Sequence, residues 1–334
     1  MKVSVIIPCY NSSNTILDSI KSITNQSYKN IELLIVDDGS QDNSLSIINS
    51  IDDPRIRILQ QPNKGPGAAR NKGILNATGD YVMFCDSDDY LDPGIIESIA
   101  GLKDSQDYDV VLFRTQKVSP DGRVLVDNKM DSFVFTDEIK EKIISSVYNK
   151  FLEYNRLFGF DGVCGKFIKR SFLIGNNILF PENIFRFEDA YFCKKLFQKG
   201  GRIKYMDVLG YYYVQNPDSL CHKFNPNAVE MYREALNVLR DGETNNDFYI
   251  KTLTTITECE VLYFYNREYK QSFSDYRKEF IQMLKSEPFC DAISKVDTAS
   301  IPVHYRAEVF LLKRRMILAY TAMKKLYLHL KKSI

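Results

Sequence analysis

Short apolar, β-branched runs alternate with helix-patterned segments through the first hundred residues. Residues 3–7 precede Ile16, Leu17, Ile20 and Ile23, and residues 31–36 precede Leu45, Ile47 and Ile48. Residues 56–59 are followed by the helical pattern of 68–75, and residues 81–85 by that of 95–102. Short runs rich in apolar and β-branched residues predict buried strands, and apolar positions three or four apart predict amphipathic helices. Repeated βα units of this kind predict an α/β fold with a mostly parallel, doubly wound central sheet flanked by helices. Residues 110–113 predict a further strand. Asp121-Gly122 predicts a hairpin turn between Lys117-Val118 and Val124-Leu125-Val126. Residues 137–170 read as helical and mixed, and a last sheet element is expected over 202–206 with 211–214.

Asn216-Pro217-Asp218-Ser219 then breaks the pattern, and from Pro226 onward the chain is helix-patterned. Two domains are therefore expected, 1–215 and 216–334. The segment 311–334 carries Lys313, Arg314, Arg315, Lys324, Lys325, Lys331 and Lys332, no acid, and interleaved leucines, methionines and tyrosines. Two readings stand: a basic amphipathic helix lying on an anionic membrane surface, or a terminal helix packed on its own domain with a solvated basic face.

Composition narrows the class. The 334 residues are 44% hydrophobic and 26% charged with a net charge of +1, the mix of a globular protein and no sign of a nucleic-acid partner. Seven scattered cysteines without a Cys-x-x-Cys pair suggest neither a disulfide framework nor a zinc site, and fit a reducing cytoplasm. The opening apolar run stops at Pro8, too short for a signal-peptide core, and no stretch approaches the ~20 apolar residues of a membrane span. The expectation is a cytoplasmic protein whose membrane contact, at the inner face of the cell membrane, would be peripheral.

The chemistry gathers at the predicted carboxyl ends of strands, where open α/β sheets bind ligands. Pro8-Cys9-Tyr10-Asn11 offers an aromatic ring for stacking on a base. Val36-Asp37-Asp38-Gly39-Ser40 offers carboxylates that accept hydrogen bonds from a base imide or ribose. In the loop from Asn63 to Asn71, backbone N–H groups at a helix entry, with Lys64 and Arg70, favour phosphate oxygens. Asp86-Ser87-Asp88-Asp89 with Asp92 has an Asp-x-Asp form that suits a hard divalent cation, Mg²⁺ or Mn²⁺. Each feature has a structural counterpart in a strand-ending proline, an Asp-Gly turn, a helix entry or a solvated acidic turn. Their coincidence describes a pocket for a nucleoside diphosphate derivative. The glycine loop has neither the dinucleotide nor the P-loop form.

These motifs, together with Gly79-Asp80-Tyr81 and Phe187-Glu188-Asp189-Ala190-Tyr191-Phe192, resemble in order those of the family 2 glycosyltransferases over roughly the first 215 residues. The resemblance implies a GT-A fold and inverting transfer of one sugar from a nucleotide sugar, usually UDP-linked, to an acceptor hydroxyl. By position it assigns Tyr10 and Asp38 to the base, with Pro8, Asn11, Lys64 and Arg70 around the nucleotide. It places Asp86 near ribose or sugar and gives the metal to Asp88. Asp189 becomes the catalytic base, with Glu188 beside it near the acceptor; without the likeness, two acids in a helix's first turn are ordinary dipole partners. Asp89 and Asp92 are expected to shape the turn.

Processive members carry Gln-x-x-Arg-Trp and transmembrane helices; this chain has no tryptophan. It resembles enzymes of bacterial capsule, O-antigen and exopolysaccharide assembly, whose acceptor is commonly polyprenyl-diphosphate-linked. One departure is Tyr211-Tyr212-Tyr213-Val214-Gln215-Asn216, where members often carry an arginine; Ser219 and His222 are then candidates for closing over the diphosphate. The competing readings are sugar transfer to polyprenyl phosphate and a non-catalytic sugar-nucleotide-binding subunit.

Overall fold

The computed structural model describes residues 1–102, 107–127, 129–149, 152, 161–182, 184–215, 225–240, 245–259 and 273–323. The chain forms two compact units, Met1–Val147 with Glu153–Pro217, and Tyr148–Leu152 with Asp218–Ile334. The separation of 148–152 from the neighbouring segments of the first unit has no signature in the hydrophobic pattern.

The first unit is built on one sheet of strands β1 (Val3–Cys9), β2 (Ile31–Asp37), β3 (Ile56–Gln60), β4 (Tyr81–Phe84), β5 (Tyr90–Leu91), β6 (Val110–Val118), β7 (Val124–Asp127), β8 (Phe133–Val134), β9 (Lys166–Lys169) and β10 (Ile203–Val214). Their spatial order is β3-β2-β1-β4-β9-β6-β10-β5, with β7 beside β6 and β8 beside β10. β3, β2, β1 and β4 are parallel, as are β6 and β10. The helices are α1 (Ile16–Thr24), α2 (Ser44–Asn49), α3 (Pro66–Asn76), α4 (Ile95–Ala100), α5 (Asp137–Tyr148), α6 (Arg170–Gly175) and α7 (Glu188–Gln198).

β2 is buried at every position, as a parallel strand covered on both faces must be. On one face Val3, Val5, Ile7 and Cys9 of β1 meet Ile16, Ile20 and Ile23 of α1. Each such side chain contributes about 1.5–3 kcal/mol on full burial. On the other face α3 comes so close that a Cβ on Gly73 would lie 2.4 Å from Ile6 Cγ2, which only glycine permits.

Two expectations change. β9, inside the stretch read as helical and mixed, runs antiparallel between β4 and β6 and joins the parallel blocks. Its four residues are too few to show a period, and its strand state comes from pairing on both sides and from Phe167 stacking on Tyr81 at 4.5 Å. Residues 203–214 form one strand with register shifts between Met206 and Tyr211.

The amino end of the parallel block holds a buried carboxylate. Glu32 accepts hydrogen bonds from Ser4 Oγ (2.5 Å), the Thr78 N–H (2.6 Å), Thr78 Oγ1 (2.8 Å) and Lys2 Nζ (3.2 Å). Burial alone would raise its carboxyl, but these donors outweigh it and bring it down to about 2.

The second unit contains α8 (Ala228–Arg240), α9 (Asn246–Cys259), α10 (Phe273–Lys285), α11 (Phe289–Lys295) and α12 (Val303–Lys313). Phe248, Ile256, Phe280, Phe289 and Val309 are buried within it, and Phe280 stacks on Tyr320 at 5.7 Å. The single terminal helix expected over 311–334 is interrupted. Arg315 lies in the left-handed region at φ 55°, its N–H bonds to the Leu312 carbonyl, and the Met316 N–H bonds to the Leu311 carbonyl. This pair of bonds is the Schellman stop, with arginine where glycine is usual. Residues 317–323 are helical again, and 324–334 lie outside the described residues. Among the described residues no helix is long and apolar enough to cross a membrane.

Candidate active site

β2 and β3 lie on one side of β1 and β4 on the other, so the crevice between the carboxyl ends of β1 and β4 is the topological switch point of the parallel block. Ser12 Oγ and Ser87 Oγ, 2.7 Å apart, tie the two following loops together. At the end of β1, Pro8 is half-buried and Tyr10 is 39% exposed. Asn11, at φ 50°, donates its N–H to Ser40 Oγ (3.0 Å) and accepts from the Gln41 N–H (2.8 Å). Its side chain thus stitches the β1 and β2 ends together.

Asp38 is buried and organises the glycine loop. Its Oδ1 accepts from Gln61 Nε2 (2.8 Å) and the Lys64 N–H (2.9 Å), and its Oδ2 from the Gly65 N–H (2.8 Å). Gly65 sits at φ 89°, a conformation open to glycine at little cost, and leads into α3. The Lys64 ammonium remains exposed at this rim.

The acids after β4 separate into distinct tasks. Asp89 is 1% exposed; its Oδ2 accepts from Tyr211 Oη (2.6 Å) and its Oδ1 from the Val214 N–H (2.8 Å). Tyr211 Oη also accepts from the Asp86 N–H (3.2 Å). Asp92 caps its own turn at the Gly94 N–H (3.0 Å). Asp88 is exposed, and no donor from another described residue reaches its carboxylate. Partial desolvation in the crowded rim, then the charge of Asp86, raise its carboxyl above the ordinary value.

Arg70, on α3, has a task that the chain does not announce. Its side chain is 4% exposed and lies under three carboxylates: Nη2 to Asp86 Oδ1 (2.8 Å), Nη1 to Asp189 Oδ1 (2.8 Å) and Nη1 to Glu188 Oε1 (3.2 Å). The guanidinium carbon stands 5.4 Å from the centre of the Phe180 ring. Burial opposes its charge, but Asp189, Asp86 and Glu188 push it well above its usual value and keep it protonated. Around Asp189, desolvation outweighs the pull of Arg70, and the charges of Glu188 and Asp86 add to it, so its carboxyl is raised well above the usual range.

Three residues received no role in the reading of the chain. Phe180 is clamped to α3 by Asn71, which donates to its carbonyl (2.9 Å) and accepts from its N–H (2.8 Å); it stacks on Phe192 of α7 at 4.1 Å. Phe187 precedes α7 in the left-handed region at φ 62°, a conformation that costs a non-glycine residue about 1–3 kcal/mol and recurs at functional sites. Tyr211 ties β10 to the acidic loop. Phe187 stood in the motif that carries Asp189 and Tyr211 in the tyrosine run, whereas Phe180 offered no signal. Ser219 and His222 lie outside the described residues.

The residues present fit a divalent ion that arrives with a diphosphate. Asp86 is committed to Arg70 and Asp89 to Tyr211 and Val214, and among the described residues no set of three or more His, Cys, Asp or Glu forms a cage. Mg²⁺-type ions are held by one or two carboxylates plus substrate phosphates, and Asp88 is the residue that would hold such an ion here.

The fold and these strand-end loops define an α/β class with its candidate site at the switch-point crevice. Residues 4–186 match Glycosyl transferase family 2, and the chain belongs to that family. It is 31% identical over 222 residues to the uncharacterized glycosyltransferase EpsJ of Bacillus subtilis, covering 65% of this chain and 62% of EpsJ. It is 30% identical over 279 residues to the uncharacterized glycosyltransferase RC0461 of Rickettsia conorii, covering 75% of this chain and 43% of that one. The chain thus spans less than two thirds of the length of these curated relatives. In structure it is similar to S. aureus TarS 1-349 in complex with UDP-GlcNAc, with a TM-score of 0.66, 22% identity, and coverage of 98% of this chain and 92% of TarS 1-349. The fold is GT-A.

Proposed function

We propose that the chain is an inverting glycosyltransferase that moves one sugar from a nucleotide sugar, a UDP-sugar, to a hydroxyl of a glycan acceptor in bacterial surface polysaccharide synthesis. The observation that carries this reading is the Arg70 network, which fixes Asp86 of the acidic loop and Asp189 of α7 around one buried guanidinium. The two carboxylates belong to the donor side and the acceptor side of the proposed reaction. The family relatives are glycosyltransferases by name, and the TarS structure holds UDP-GlcNAc, which supports a UDP-linked donor.

In this reading Tyr10 stacks on the uracil ring. Asp38 serves the base from the loop it already anchors, and Pro8 and Asn11 shape the same wall. Lys64 meets the diphosphate, and Asp86 contacts the ribose or sugar. Arg70 acts through the carboxylates that it positions. Asp189 removes the acceptor proton as the hydroxyl oxygen attacks the anomeric carbon opposite the departing diphosphate, and its raised carboxyl makes it a stronger base than an ordinary aspartate. Glu188 shares Arg70 with it and borders the acceptor. When bound at Asp88, Mn²⁺ or Mg²⁺ stabilises charge on the leaving diphosphate. The acceptor is lipid-linked, a polyprenyl-diphosphate glycan, and the segment from 311 onward meets the inner membrane face peripherally.

A panel of nucleotide sugars scored for metal-dependent thermal stabilisation and for product formation tests the donor. UDP and its sugars are expected to raise the melting temperature in the presence of Mn²⁺; no shift with any of them would sink the assignment.

A further inference from the structure

In the second unit, α10, α11 and the end of α12 line a cavity of about 440 Å³. Leu284, Ile293 and Leu312, all buried, form its apolar part, and Lys285, Lys313 and Arg315 stand exposed around it. No acid lines it, and none of the three cations has an ion-pair partner among the described residues. The Schellman stop creates this arrangement. An uninterrupted helix would carry Arg315 onward along its axis, whereas the left-handed turn sets it at the cavity with Lys313.

Arginine at a position that favours glycine is a strained choice, and strain of this kind persists where a side chain has a task. The flanking residues point to what the cavity meets. Phe310, Met316 and Leu318 are 55%, 46% and 68% exposed, so large apolar side chains bracket the cations on the same stretch of chain. A free phosphate would satisfy the cations and leave both the apolar lining and these side chains in water. A lipid phosphate serves all of them, because its headgroup meets the cations while its hydrocarbon covers the apolar surface.

We propose that this cavity binds the phosphate headgroup of an anionic lipid and seats the second unit on an anionic membrane surface. The inference deepens the peripheral membrane contact of the preceding reading and is independent of the donor chemistry.

The test is co-sedimentation of the full chain with phosphatidylcholine vesicles, with and without phosphatidylglycerol. Binding is expected only with phosphatidylglycerol and should weaken as salt is raised. The variant Lys285→Gln/Lys313→Gln/Arg315→Gly removes the cations while giving the turn its preferred residue, and should lower partition by roughly a hundredfold at the usual gain per surface cation. A control with equal charge loss, Arg123→Gln/Lys129→Gln/Lys142→Gln in the first unit, should bind like the parent chain. Equal loss in the control, or no vesicle binding by the parent chain, would overturn the proposal. So would complete displacement by millimolar inorganic phosphate, which would identify a free-anion site. UDP-dependent thermal stabilisation read on the same preparations separates the two readings. Absent vesicle binding by the parent chain with that shift intact counts against the lipid site alone, and an absent shift counts against the donor reading.

Discussion

Glu32, at the amino end of the parallel block, and the pair Asp88 and Asp189, at its carboxyl end, are treated in opposite ways by the fold. At the amino end, Glu32 is surrounded by donors from β1, residue 78 and Lys2, and its carboxyl falls to about 2. At the carboxyl end, Asp88 receives no donor from another described residue, and Asp189 shares one guanidinium with Glu188 and Asp86; both carboxyls are raised. A carboxylate whose lone pairs are filled by the fold contributes stability. One left short of donors among other acids costs stability until a proton, cation or substrate arrives. The contrast is one of donors and not of the shift alone, because burial beside Asp86 and Asp88 also raises the carboxyl of the donor-filled Asp89.

The largest effect expected from breaking that contrast is on Asp189. Asp189→Asn should lower turnover by about 10²–10⁴-fold, the usual contribution of a general base, while UDP-dependent stabilisation survives. Undiminished turnover would remove the base assignment. The parent enzyme's rate should fall with pH through the raised Asp189 value, because only the ionised carboxylate accepts the proton. The sign for stability is opposite: the folded state holds this proton more tightly than the unfolded chain, so its contribution is present at low pH and declines as pH rises through the folded value.

Next comes Asp88. Asp88→Asn is expected to weaken metal-dependent UDP binding by about 10–100-fold in a Mn²⁺ titration, with no loss of melting temperature, since no other described residue bonds to this carboxylate. A gain in UDP affinity with Mn²⁺ that is equal in both proteins would remove the role of Asp88 at the metal.

At the other end of the sheet, Glu32→Gln should destabilise the first unit by about 2–3 kcal/mol near neutral pH and leave turnover per folded molecule unchanged. Because the Glu32 carboxyl is lowered from 4.5 to about 2, its stabilisation is complete above the upper value and lost as pH falls toward the lower. Acid unfolding curves of the variant should therefore converge on those of the parent in that window. Curves that stay parallel would show that Glu32 does not carry the difference.

The smallest effect falls on Asp89, a structural acid inside the chemical loop. Asp89→Asn should cost about 1–2 kcal/mol through its bonds to Tyr211 and Val214, read as a lower urea midpoint. No change in the midpoint would dissolve the distinction drawn between Asp88 and Asp89.

Much of this was legible along the chain. Strands at 3–7, 31–36, 56–59 and 81–85 follow from runs of apolar residues, and the acids and glycines at their ends mark the loops. The start of α7 at Glu188 and the hairpin at Asp121-Gly122 were equally readable. The short β9 was not, because four residues carry no period and depend on β4 and β6 for their state. Nor was the stop at Arg315, since arginine gives no local signal for a left-handed turn.

The sequence by itself determined the βα alternation, the membership of a recognisable family and the collection of polar residues at strand ends. Hydrophobic period and turn chemistry act over a few neighbouring residues, so they are written locally. Only the tertiary structure decided which of those residues are free to act. Arg70 meets Asp86, Glu188 and Asp189 from 16, 118 and 119 residues away, a meeting that no local pattern announces. Burial, which sets whether a charge is paired, shifted or exposed, is a property of the packed chain.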